Sequence, residues 1–128
     1  MARVNHKKVR QLLNQERSSI TDKQFFVSRI LAGHFADIAA AQSKRYGYNR
    51  RVNVRIVWEP KNPEAAGTDN SLIWINAATP LVKAKKSRQA RYEVVCGLFA
   101  HELGHVLYTD FLLGQTHEAK TLDGGWFP

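Results

Sequence analysis

Two histidines, four residues apart, constrain this chain more than any other feature. His101 and His105 flank Glu102 in the segment HELGH, and an apolar run over residues 94–100 precedes them. In a helix such histidines lie about 40° apart around the axis, so their imidazoles can share one ion. Glu102 projects about 100° from His101, where it suits a base better than a ligand. The spacing predicts a zinc site with His101 and His105 as ligands.

The residues around this pair are mostly apolar. On a helical wheel only the wedge near His101, His105 and Tyr108 is polar. We therefore expect a helix that Ser87 caps, that ends near residue 108, and that is buried on nearly all sides. Two imidazoles and a carboxylate are costly to bury unless a metal satisfies them, which favours zinc. The alternative is that both histidines only hydrogen-bond within a core.

The segment GLFAHELGHVLYTDF, residues 97–111, resembles the active-site helix of the zincin metallopeptidases. Its TDF ending is similar to metallopeptidase domains found beside von Willebrand A-type modules in large bacterial and phage proteins. The resemblance implies a metallopeptidase that binds Zn²⁺, acts on a polypeptide substrate and uses Glu102 to activate a water. Tyr108, one helical turn beyond His105, is a candidate contact of this site, although packing is the favoured role.

A weaker likeness is to the SprT-like, DNA-linked proteases. It depends on the strand-like segment IWIN, residues 73–76, and on His117, which follows His105 by twelve residues. The sequence departs from that family in having Thr116 and Glu118 around this histidine, where the family has a Gly-His context.

The third zinc ligand is open at this stage, because catalytic zinc usually takes three protein ligands and a water. The candidates are Asp110, His117, Glu118 and a residue beyond Pro128. Asp110 would point about 140° away from His105 in a continuous helix, so it can ligate only if the helix breaks first. We favour Thr109 or Asp110 as the cap of a following helix. The ending GGWFP leads us to expect a domain truncated at its C-terminal end.

Length and composition predict one domain over residues 1–128, with hydrophobic and charged contents ordinary for a soluble globule. The single cysteine, Cys96, excludes an internal disulfide, fits a reducing compartment and is interpreted as a core residue. The sequence contains neither an apolar run long enough to cross a bilayer nor an N-terminal secretion signal. These features predict a cytoplasmic protein without membrane contact.

The net charge of +8 favours anionic partners, and five cations fall within nine residues, at Lys83, Lys85, Lys86, Arg88 and Arg91. We favour a solvated turn for this run, with a nucleic-acid contact as the alternative. Two further hypotheses follow: a nucleic-acid-associated module with a degenerate zinc site, and an inactive fragment.

The remaining pattern predicts an α+β fold. Residues 1–18 suit a short amphipathic helix, and Thr21 with Gln24 forms a capping box for a six-turn helix that Gly47 ends. His34 on that helix is expected to be packed rather than a ligand. Residues 51–58 and 71–76 are expected strands, separated by a loop from Pro60 to Gly67. The zincin resemblance implies a long backing helix, a small sheet and a buried active-site helix, with residues 71–76, or the turn before them, beside the cleft.

Overall fold

The computed structural model describes residues 2–14, 20–48, 51–69 and 71–121, with side chains for 6–14, 20–48, 51–69 and 71–113. The fold is α+β, as expected. In chain order the elements are α1 (Ala2–Asn14), α2 (Asp22–Phe26), α3 (Arg29–Arg45), β1 (Asn53–Val57), β2 (Ala66–Asp69), β3 (Leu72–Asn76), α4 (Pro80–Lys83) and α5 (Arg88–Thr121).

The segment expected to form one long helix forms two. The capping box is confirmed: the Thr21 hydroxyl accepts from the backbone N–H of Gln24 at 3.1 Å, and the Gln24 side chain accepts from that of Thr21 at 2.9 Å. The single six-turn helix is wrong, because Ser28 provides a second N-cap by accepting from the N–H of Leu31 at 3.2 Å. Gly47 ends α3 with a φ of 83°, a conformation that favours glycine.

The three strands form one sheet in the order β1-β3-β2, in which β1 pairs parallel to β3 and β2 pairs antiparallel to it. β2 occupies the end of the segment expected to be a loop. The alternation predicted for β1 is confirmed: Asn53 and Arg55 project from the outer face, whereas Val54 and Ile56 lie on the inner face of the sheet. That face packs against α3 and α5 and carries Val54, Ile56, Ala66, Thr68, Ile73 and Ile75.

A fully buried amide orders the loop between β1 and β2. Asn76, the last residue of β3, accepts from the backbone N–H groups of Glu59 at 3.0 Å and Ala78 at 3.1 Å. Its amide group donates to the carbonyls of Glu59 at 2.9 Å and Asn62 at 3.2 Å. A buried side chain that satisfies this many backbone groups fixes their relative positions. Asn76 thus sets the path of the chain into β2.

The helix α5 differs from expectation in two respects. It continues to Thr121, so Thr109 and Asp110 lie inside it and cap no further helix. Residues 109–121 contain no proline and only one glycine, so nothing local stops the helix near residue 108. The helix is also buried along one stripe rather than on all sides, because the sheet and α3 cover one face. That stripe consists of Val95, Phe99, Leu103 and Val106.

A buried ion pair joins the start of α5 to the N-terminal helices. Ser87 caps α5 as expected, accepting from the N–H of Ala90 at 3.1 Å. Arg88 is only 2% exposed, and its Nε donates to Asp22 at 2.8 Å. Its Nη1 and Nη2 donate to the carbonyls of Leu12, at 3.1 Å, and Ile20, at 3.0 Å. One guanidinium therefore binds the end of α1, the segment before α2, and α2 itself.

Because of Asp22, we expect the folding stability to decrease at low pH. Burial raises the pKa of Asp22, but hydrogen bonds and charges from Arg88 and Arg91 outweigh it and leave the pKa below its ordinary value of 3.8. A carboxyl whose pKa is lowered by folding stabilises the fold above its unfolded pKa, and this contribution is lost as the pH falls through the folded pKa. Urea unfolding at pH 6 and pH 3 measures the loss. We expect it to be smaller in Asp22→Asn than in the wild type, and an equal loss would contradict the assignment.

Candidate metal centre

The two histidines are arranged as one turn of α5 dictates. Their Nε2 atoms lie 3.1 Å apart, and their rings stand nearly perpendicular, with centroids 4.6 Å apart. Two nitrogens that bind one tetrahedral zinc at 2.0–2.1 Å are separated by about 3.3 Å. His101 and His105 can therefore share an ion with almost no movement. The same distance also suits a hydrogen bond between the rings, in which one Nε2 donates to the other.

Glu102 joins the histidine pair to the edge of the sheet. Its carboxylate and the two imidazoles form a group whose ligand atoms all lie within 4.8 Å of one another. The hydroxyl of Thr68, on strand β2, donates to Oε1 of Glu102 at 2.7 Å. The carboxylate is half-buried between the helix and the strand, whereas both imidazoles are exposed. An acceptor therefore stands beside the position that an ion on the pair would occupy.

The exposure of His101 and His105 corrects one step of the sequence argument. The sequence pattern predicted that both lie inside a helix buried on nearly all sides, where a metal would offset the cost of burial. Both rings instead lie on the face of α5 that the described part of the chain leaves uncovered, so water can solvate them. The case for a metal therefore depends on the distance between the two nitrogens and on the neighbouring carboxylate.

Of the three numbered candidates for a third ligand, only Asp110 has a described side chain, and it does not join the pair. Asp110 follows without a break in α5, so it points about 140° away from His105. The side chains of His117 and Glu118 lie outside those that the structure describes. Their backbone positions in α5 lie about 18–20 Å along the helix axis from His105. The described side chains thus bring together His101, Glu102 and His105.

An apolar cavity of about 420 Å³ lies beside the pair, on the flank of α5 away from Glu102. Tyr108, which follows His105 by one turn, is 61% exposed and stacks on Phe111 with centroids 6.5 Å apart. It therefore lines this cavity instead of packing in the core, which was the favoured expectation. The lining residues are Tyr46, Tyr48, Gly104, Leu107, Tyr108 and Phe111.

The edge strand beside the site is β2. The sequence analysis placed residues 71–76, or the turn leading into them, beside the cleft. Residues 72–76 form the central strand β3, and the segment just before them supplies the edge. Thr68 was missed because Pro60, Pro63 and Gly67 made this stretch resemble a loop. No motif links Thr68 to Glu102, which is 34 residues away in sequence.

Two members of the basic run are used within the fold. Arg88 is buried, and Arg91 donates to Asp22, to the carbonyl of Lys85 at 2.8 Å and to that of Lys83 at 3.4 Å. Lys83, Lys85 and Lys86 are exposed. The solvated-turn interpretation thus describes the lysines but not the arginines. Three of the five cations expected for a nucleic-acid contact, the lysines, are therefore exposed at the surface.

His34 and Cys96, the other two side chains considered as functional candidates, lie away from the metal centre. His34 is 8% exposed and packs with ring centroids 5.5 Å from His6 and 5.9 Å from Phe35. Burial lowers the pKa of His34, and the neighbouring His6 lowers it further. Cys96 is half-buried, and burial raises the pKa of its thiol. His34 is packed as expected, but the hydrogen bond expected with it is not seen at Nδ1, which is buried without a partner among the described residues. A raised pKa makes Cys96 a poor nucleophile.

No protein-family model, curated protein or solved structure matches this chain. In the part of the chain that the structure describes, no helix is both long enough and apolar enough to cross a membrane.

Proposed function

We propose that the chain is a zinc-dependent peptidase whose metal ligands include His101 and His105 and whose general base is Glu102. The observation that supports this most is the Nε2–Nε2 distance of 3.1 Å, close to the spacing required by one tetrahedral ion, with a carboxylate alongside. A solvated pair of surface histidines does not require a neighbouring carboxylate that is held by another strand. A hydrolytic centre requires one.

Each residue has a distinct role in the proposed reaction. His101 and His105 would hold the ion through their Nε2 atoms, and the coordination positions that they do not fill would be open to water and substrate. Zinc bound there would make a water more acidic and polarise the scissile carbonyl. Glu102 accepts a proton from the attacking water and then donates it to the leaving amine, so that the peptide bond breaks into a carboxylate and an amine.

The surroundings of the site suit a polypeptide substrate. β2 is an edge strand of the sheet, so one side of its backbone is unpaired within the described sheet. An extended peptide can bind such an edge through main-chain hydrogen bonds that are independent of its sequence. Because Thr68 of this strand contacts Glu102, a peptide bound along the edge would pass close to the base.

Zinc binding by the histidine pair is the first test. We expect the wild-type protein to bind one zinc ion, and His101→Ala or His105→Ala to weaken binding by roughly 100-fold or more, because each removes one of few ligands. Isothermal titration with zinc, checked by elemental analysis, measures the effect. The matched control is His6→Ala, which removes an exposed histidine that is distant in sequence from His101 and His105. It should leave the zinc affinity unchanged. Equal zinc affinity in all four proteins would contradict the proposal.

A further inference from the structure

We infer that Thr68 is a positioning residue that holds the Glu102 carboxylate in the orientation needed for proton transfer. This inference rests on the proposed role of Glu102 as the base. The contact is short: Oγ1 of Thr68 lies 2.7 Å from Oε1 of Glu102. This distance is that of a well-formed hydrogen bond from a hydroxyl group to an oxygen acceptor.

The register of the sheet explains why Thr68 points at the helix. Thr68 pairs with Ile73 of β3, and paired residues in a sheet project from the same face. Ile73 is completely buried on the inner face, which α5 covers. Among the strand residues that the structure describes, Thr68 is the one polar side chain on that face. A hydroxyl placed there needs a partner, and Glu102 is the partner it has.

Two packing features hold β2 at the distance that the contact requires. Gly67 lies against the indole of Trp74, which is so close that an added Cβ would be 2.6 Å from the ring. A larger residue at position 67 would require either the Trp74 ring or β2 to shift. The buried amide of Asn76 fixes the loop that leads into β2, through its bonds to Glu59 and Asn62. Contacts on the outer face of β2 and in the loop that leads into it therefore position the strand independently of the bond between Thr68 and Glu102.

The consequence for catalysis follows from what each carboxylate oxygen does. Thr68 binds Oε1 and leaves Oε2 free to accept a proton. Without this bond, a half-exposed glutamate on a helix surface would populate several rotamers, and only a fraction of them would point at the water. Misplacing a catalytic group by about 1 Å costs up to roughly 100-fold in rate. The hydroxyl of Thr68 bonds to Glu102 and the two imidazoles approach each other, so metal binding should not depend on Thr68.

A crossed pair of substitutions separates the hydroxyl from the shape of the side chain. Thr68→Val keeps the volume and removes the donor, whereas Thr68→Ser keeps the donor and removes a methyl group. In the zinc-loaded protein we expect Thr68→Val to lower kcat roughly 10- to 100-fold, with KM and zinc affinity within about twofold of wild type. Thr68→Ser should retain kcat within about threefold. A kcat for Thr68→Val equal to that of wild type would overturn the inference, as would equal losses in both variants.

A second measurement does not depend on peptidase activity. In the zinc-free full-length chain, NMR coupling constants of the Glu102 side chain report whether it occupies one rotamer or averages over several. We expect one rotamer in wild type and Thr68→Ser, and averaging in Thr68→Val. If the wild type cleaves no peptide, the proposed function fails while this measurement still decides the role of Thr68. Equal order of Glu102 in wild type and Thr68→Val would overturn that role.

Discussion

Replacement of Glu102 by glutamine should reduce peptide hydrolysis by about 100- to 10,000-fold while zinc binding is retained, because a neutral amide cannot accept the proton of the attacking water. Glutamine has nearly the same shape, and its amide oxygen can still accept from Thr68 at the position of Oε1. The contact between β2 and α5 is therefore kept, and only the basicity is lost. Initial rates of casein cleavage by zinc-loaded wild-type and variant proteins measure the effect.

The matched control is Glu93→Gln, which makes the same chemical change on an exposed position of the same helix. Its rate should equal that of the wild type. Two results would count against the peptidase proposal: a Glu102→Gln variant as active as the wild type, and a wild-type protein that binds zinc but cleaves no peptide. Because zinc content is determined in each sample, loss of the base is distinguished from loss of the metal.

The features that sequence analysis predicted correctly are those determined by local periodicity. The capping box at Thr21 and Gln24 involves neighbours three residues apart, and the approach of His101 to His105 requires only a helical turn. The alternation of β1 is likewise local. Each of these depends on backbone geometry that holds wherever the element packs, so tertiary structure does not alter it.

The features that were missed depend on what covers a residue. A helical wheel of α5 identifies its apolar positions but does not show which of them other elements cover. The sheet and α3 cover a single face, so His101 and His105 are exposed. Charge alone also did not distinguish buried Arg88 from exposed Lys86 in one basic run. The bond from Thr68 to Glu102 spans 34 residues and depends on strand register, which the proline-containing loop before it obscures.

Among the five cations of the basic run, Arg88 should give the most destabilising alanine variant. Arg88→Ala should cost about 3 kcal/mol of unfolding free energy, because it removes one partner of a buried ion pair. Substitution by alanine also leaves the carbonyls of Leu12 and Ile20 without this donor and removes the cation that lies 5.5 Å from the ring centre of Phe25. In a chain of this length the change corresponds to a fall in Tm of roughly 10 °C. Urea unfolding followed by circular dichroism measures the free energy directly.

Arg91→Ala is the control that tests whether burial of Arg88 causes the loss of stability. Arg91 contacts the same carboxylate, that of Asp22, but its side chain is 26% exposed against 2% for Arg88. A solvent-accessible ion pair contributes less than about 1 kcal/mol, so Arg91→Ala should lower stability much less than Arg88→Ala. If both alanine variants lost the same stability, burial of Arg88 would not be the source of the effect. A large loss confined to Arg88→Ala would instead establish this guanidinium as the link between the N-terminal helices and the helix that carries His101 and His105.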